Sequence, residues 1–251
     1  MRRLALILLL VSRSAWAQVL PWSPYAASHL SSLAAGVVAG GRETTVTATT
    51  GRLVVLADAQ STSVSVTTWG PRGGLRLRED HVHAGAGAVD AMQVQGAWRA
   101  APGLVLEAWS AYARLTVSPA TIGRVAGGAR ALFAAPSGPA GAWCGYRTRD
   151  RGGLFADAGG VAAGVWWGTQ ARPQCACECA VSPDTRSVAG RFAASCPVGA
   201  GLRILIAAST TPSTFAMGVR ADRGAVRLEV ERTVNAVLGD GIRLSCTRVW
   251  R

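Results

Sequence analysis

Lysine is absent. All 26 basic residues are arginine, which excludes a Walker-type phosphate loop, Schiff-base chemistry and a lysine general base. Asparagine occurs once, at Asn235, and Ala-Val follows it, so the chain has no N-x-Ser/Thr glycan acceptor. Histidine is restricted to His29, His81 and His83, which leaves few general bases. There is no G-x-S-x-G nucleophile elbow, no H-E-x-x-H helix and no kinase signature set. Gly85-Ala-Gly87 and Gly199-Ala-Gly201 are too short, and in the wrong context, for dinucleotide binding. Beyond the N-terminus no stretch is long and uncharged enough for a membrane-spanning helix, so no membrane span is expected. No enzyme and no cofactor are read from these residues.

What is present begins with an export signal. Met1-Arg2-Arg3 is positive, Leu4 to Val11 is a short apolar run, and Ala15-Trp16-Ala17 has the small-x-small form of a cleavage site. Residues 1–17 are therefore expected to be a signal peptide, with the mature chain starting at Gln18. Its loss removes three arginines and lowers the formal charge from +12 to +9. Positions 18–251 are expected to form one secreted domain, and Pro136-Ser-Gly-Pro139 is the place where it would subdivide. No mature cysteine precedes that point and all six follow it.

From Thr44 onward the apolar pattern has period two. Ser61 to Trp69 alternates, with Val64 and Val66 on one face. Leu104 to Val117 places Trp109, Ala111, Ala113, Leu115 and Val117 on one face and Ser110, Tyr112, Arg114 and Thr116 on the other. Val226, Leu228 and Val230 are expected to face a core, while Arg227, Glu229 and Glu231 face water. Roughly a dozen short strands with Gly and Pro punctuation predict an all-β fold. The reading chosen is an antiparallel two-sheet β-sandwich, stapled by disulfides in its C-terminal half.

The staples are the six cysteines. In an extended strand, residues two apart have Cα atoms about 6.5–7 Å apart, at or beyond the comfortable limit for a disulfide. Cys175, Cys177 and Cys179 are thus expected to bond with Cys144, Cys196 and Cys246 in an oxidising compartment. A thiolate metal cluster is the rival reading, which export disfavours, and no metal is expected. His81-Val-His83, with Glu79 on the same face, has metal-ligand spacing but no second cluster to close the sphere.

Trp166 and Trp167 are neighbours, so on a strand they face opposite ways. With Arg172 nearby, they are the candidate ligand-binding residues. The arginine-only charge suits an acidic partner, such as an acidic protein or a sulfated glycan.

Three segments, in order, resemble the secreted poxvirus immune-evasion family of chemokine- and cytokine-binding proteins. They are Gly73-Gly74-Leu75-Arg76-Leu77, Tyr112-Ala-Arg-Leu-Thr-Val-Ser-Pro119 and the hairpin from Phe215 to Val230. The resemblance implies a secreted, non-enzymatic β-sandwich that sequesters a host immune ligand. This basic chain would repel basic chemokines, so the host partner expected is an acidic secreted protein, with glycosaminoglycan contact as a second option and no nucleic acid. The alternative is a bacterial envelope protein, such as an adhesin or a small barrel. Against a barrel stand six cysteines and a C-terminus that reads Val-Trp-Arg rather than ending on an aromatic residue.

Overall fold

Strand pairing runs in chain order around the molecule, and the first strand closes on the last. The computed structural model describes residues 37, 41–53, 59–85, 87–117, 119–135, 140–148, 160–168, 173–182, 187–210, 213–235 and 239–251. The expected signal peptide, the subdivision point at 136–139 and Arg172 lie outside the described residues. The first strands are β1 (Glu43–Leu53), β2 (Gln60–Trp69), β3 (Gly73–Ala84), β4 (Gly87–Ala101) and β5 (Leu104–Val117). They continue into β6 (Ala120–Ala134), β7 (Ala140–Arg147), β8 (Gly160–Trp167), β9 (Gln174–Ser182) and β10 (Ser187–Gly199). The last are β11 (Leu202–Thr210), β12 (Ser213–Arg223), β13 (Val226–Asn235) and β14 (Gly239–Trp250). Each is antiparallel to its neighbours, and β1 pairs with β14 from Thr44↔Trp250 to Leu53↔Gly241. The result is a closed barrel of fourteen strands.

This corrects the two-sheet sandwich. Period-two alternation and short turns are common to both architectures. What separates them is the β1–β14 ladder, which leaves no free edge. No local pattern announces a contact such as that of Thr47 with Thr247, 200 positions apart. At this seam Thr47 Oγ1 and Thr247 Oγ1 lie 2.9 Å apart, and Thr49 Oγ1 is 3.0 Å from Ser245 Oγ.

The start of β1 and the end of β14 lie at one end of the barrel, called here the terminal end. Several hairpins there are tight. Gly103 and Gly201 have φ of 77° and 76°, and a Cβ at Gly201 would run into the Asp222 carbonyl oxygen. Only glycine fits such a turn without strain.

Which face points inward is the second correction. Val230 is 49% exposed while Glu231 is 2% exposed. Val226, Leu228 and Val230 therefore look outward, and Arg227, Glu229 and Glu231 line the interior. The inversion is general. The exposed large apolar side chains occupy the outward positions of their strands, except Ile122 at the far end of β6. The buried polar residues, Asp80, Gln93, Gln95, Glu107, Glu178, Arg191 and Arg203 among them, point in.

The disulfide reading is also corrected. All six cysteines are free. Each sits at an outward position, as a small apolar side chain would. The hub cannot form because the sheet holds its members apart. Cys179 and Cys144 both lie opposite Ala163 of β8, so a whole strand separates them. Cys246 on β14 is divided from Cys175, Cys177 and Cys179 on β9 by four strands, each about 4.7–4.9 Å wide.

Candidate functional site

The interior of the barrel is where charged side chains are brought together. Successive inward positions on a strand are two residues apart, and cross-strand neighbours are close enough to bond. On β3 the Arg78 guanidinium lies 2.6 Å from Asp80. Across β5–β6, Arg130 Nε lies 2.6 Å from Glu107. Across β9–β10, Arg191 donates to Glu178 at 3.0 Å. Asp222 takes both Arg227, at 2.7 Å, and Arg220, at 3.2 Å. Arg243 reaches Glu231 directly and approaches Glu229 at 3.9 Å. Arg203 Nε donates to Ser195 Oγ at 2.7 Å. Burying so many charges is costly unless they are paired, and each carboxylate named here meets an arginine.

The inner wall is not uniform. On β1, β2 and β14 it is hydroxyl-rich, with Thr45, Thr47, Thr49, Ser63, Ser65, Thr67, Ser245 and Thr247. On β5 to β8 it carries large rings laid over glycines. Trp109 covers Gly128, Trp143 covers Gly164 and Trp166 covers Gly141, and in each case the glycine is the tryptophan's cross-strand partner. A Cβ at Gly141 would collide with the Trp166 ring. Ring over glycine recovers contact area that the bare backbone lacks. Arg130 sits 5.5 Å from the centre of the Trp143 ring, in cation–π contact.

The outer face completes the picture. Around the barrel it carries Val, Leu, Ile, Met and Phe, among them Leu75, Leu77, Met92, Val94, Ile204, Ile206, Met217, Val230 and Leu244. At the terminal end this belt is edged by outward aromatic rings: Trp98, Phe133, Trp167 and Trp250. The ring of Trp250, one residue before the C-terminus, is part of that edge. At the other end charges bound the belt: Glu79, His81 and Asp90, with Arg114 2.9 Å from Asp90, and Arg232 with Asp240. An apolar belt framed by aromatic rings on a polar-cored barrel is the polarity of a transmembrane β-barrel.

The barrel wall separates the residues that the sequence singles out. Trp166 points into the barrel and Trp167 points out of it. His81 and His83 face outward. His81 Nδ1 is bonded to Asp90 Oδ1 at 2.6 Å. Among the described residues no group of three or more His, Cys, Asp or Glu is placed to hold a metal. The lumen charges were missed. Arg and Glu sharing one face of a strand, as in Arg227, Glu229 and Glu231, was the available signal, since mixed charges two apart can pair across a closed sheet.

The expectation of a freely secreted protein is corrected by the outer surface. A water-soluble monomer does not expose a continuous apolar belt of this kind. The expectations of a host secreted partner and a glycosaminoglycan contact go with that reading, and so does the expectation of no membrane span, which was drawn from the lack of a helix-length apolar stretch. The absence of a long apolar helix among the described residues has no bearing on a protein that would cross with strands.

No family model matches the chain, and no curated protein matches its sequence. Solved structures do match. The Acinetobacter baumannii outer membrane protein Omp33 aligns over 84% of this chain and 100% of its own, with a TM-score of 0.59 and 10% identity. A substituted form of the Rh. blastica porin aligns over 84% of this chain and 99% of its own, with a TM-score of 0.49 and 7% identity. The resemblance to the poxvirus immune-evasion family is thereby corrected. That family is a sandwich, whereas the three segments that carried the resemblance are staves of one barrel, and the fold this chain shares is that of Omp33.

Proposed function

We propose that this chain is a porin-like barrel of a bacterial outer membrane, and that its lumen passes small hydrophilic solutes. The reading of a secreted decoy that sequesters a cytokine is replaced by the envelope alternative. One observation carries it: charged and polar side chains are buried inside, among small apolar ones such as Ala111, Ala113 and Ala216, while most of the large apolar side chains are exposed outside. A soluble barrel has the reverse order. Water inside a β-barrel is favoured by paired charges and hydroxyls, and lipid outside is favoured by Val, Leu and Ile. Fourteen strands fall between the small barrels that side chains fill and the sixteen-stranded porins that hold an aqueous channel. Passive diffusion requires no nucleophile, metal or cofactor, in keeping with the motif-poor sequence.

The test is purification in detergent, mobility on a denaturing gel with and without boiling, and conductance in a planar bilayer. A heat-modifiable band with stepwise conductance supports the reading. A protein that stays soluble and monomeric without detergent overturns it.

A further inference from the structure

The ion pairs of the inner wall match arginine to carboxylate one for one. Asp222 takes both Arg220 and Arg227, whereas Glu229 and Glu231 share Arg243. At the rim Glu43 takes Arg251 at 3.1 Å. Three further arginines stand on the inner face of the described strands, and no further carboxylate stands there with them. Arg76 is the cross-strand partner of Gln95, Arg99 of Val105 and Arg203 of Arg220, all of them inward positions.

The three lie toward the terminal end: Arg203 is the second residue of β11, Arg76 the fourth of β3, and Arg99 the third from the end of β4. Arg203 joins Arg220 and Arg227 there, so three guanidinium groups act on the single carboxylate of Asp222. Tight hairpins hold this group in place. The Asp222 amide donates to the Gly201 carbonyl oxygen at 2.6 Å, and Gly201 and Gly224 turn at φ of 76° and 59°. Thr67 Oγ1 accepts from Arg76 Nε at 3.1 Å, and Ser195 Oγ accepts from Arg203 Nε at 2.7 Å. A neutral acceptor orients a guanidinium and leaves its charge in being. The Asp222 side chain is 35% exposed and that of Arg227 is 19% exposed, so the group borders the open lumen.

An ion inside the barrel responds to the sum of the wall charges, however they are paired. The low-dielectric wall focuses that field along the lumen. Rings of arginine draw anions, as rings of carboxylate draw cations. We propose that this pore selects small anions, and that the excess of arginine at its terminal end, Arg76, Arg99 and Arg203, sets the preference. The proposal rests on the pore reading above.

The test is the zero-current voltage of the full-length protein in planar bilayers across a potassium chloride gradient. Potassium and chloride move at nearly equal rates in water, so the sign of that voltage reports the wall. The expected chloride-to-potassium permeability ratio is about three or more near 0.1 M salt. It should fall toward about one near 1 M, where the Debye length shrinks from about 10 Å to about 3 Å. The double variant Arg76→Gln with Arg203→Gln, folded as judged by heat-modifiable mobility, should lower the ratio at low salt by about twofold or more. If that variant does not fold, the salt dependence of the parent decides. A conducting parent with a ratio at or below one, or a ratio that salt leaves unchanged, overturns the selectivity and leaves the pore. A folded double variant as selective as the parent overturns the assignment to these arginines. A silent parent overturns the pore reading, and the selectivity with it.

Discussion

Arg130 Nε lies 2.6 Å from a Glu107 carboxylate oxygen, and that carboxylate side chain is 1% exposed. The two residues face each other across β5 and β6, inside a wall whose outer side is apolar. Removing the arginine leaves a buried negative charge that water barely reaches. Arg130→Ala is expected to cost about 3–5 kcal/mol of unfolding free energy. The double change Arg130→Met with Glu107→Leu should cost much less, because neither member of the pair is left buried without the other. Urea unfolding in lipid vesicles, followed by the heat-modifiable band, measures both. A loss below about 1 kcal/mol for Arg130→Ala, the level of an exposed pair, would mean that this part of the lumen is well hydrated.

Leu244 and Ser245 are adjacent in β14 and look to opposite sides. Leu244→Arg puts a charge on the belt, with an expected cost of about 2–4 kcal/mol near the bilayer midplane. Ser245→Arg puts the same charge into a polar lumen beside Glu229, its cross-strand partner, and should be far better tolerated. The readout is the folded fraction after refolding into vesicles. Equal losses for the two variants would contradict the inside-out assignment.

The six cysteines give a chemical test of the same assignment. As outward, unbonded thiols, they should all alkylate after denaturation without reductant, giving a mass increase of six adducts. In the folded, vesicle-embedded protein a charged alkylating reagent should reach few of them. Alkylation that rises only after reduction would restore the disulfides that the sequence suggested.

Gly164 carries the Trp143 ring. A Cβ there would meet the Cys177 carbonyl oxygen at 2.5 Å and Trp143 Nε1 at 2.6 Å. Gly164→Val is expected to displace the ring and cost about 1–3 kcal/mol as overpacking. A shift in tryptophan emission on the Gly164→Val change, absent when Trp143 is first replaced by Phe, identifies the displaced ring. An unchanged spectrum would show that Trp143 does not lie on Gly164.

Much of the strand content is visible without a structure. The alternation in Ser61–Trp69, Leu104–Val117 and Val226–Val230, and the turn at Asp222-Arg223-Gly224, follow from local chemistry. A β-branched or aromatic residue at every second position favours an extended chain, and a glycine at positive φ completes the hairpin. The candidate site was harder to see. Glu231 and Arg243 form a lumen pair only because β13 and β14 set them opposite each other, and a residue's partner across a sheet is not written beside it. Trp166 and Trp167 stood out by composition, and their opposite directions follow from strand geometry alone. Which of them meets the lumen does not.

By itself, the sequence determines that this chain alternates: apolar and polar side chains take opposite faces of nearly every strand. It cannot say which face is inside, because alternation has no sign. A sandwich buries the apolar face and a membrane barrel buries the polar one, from the same pattern. The tertiary structure supplies that sign: β1 meets β14, the sheet closes, and the polar face is the one enclosed. Closure gives the molecule an inside, and the inside holds Asp80, Glu107, Glu178, Arg191 and Glu231. The same event turns Cys175, Cys177 and Cys179 from the centre of a disulfide hub into three small side chains on an apolar outer wall.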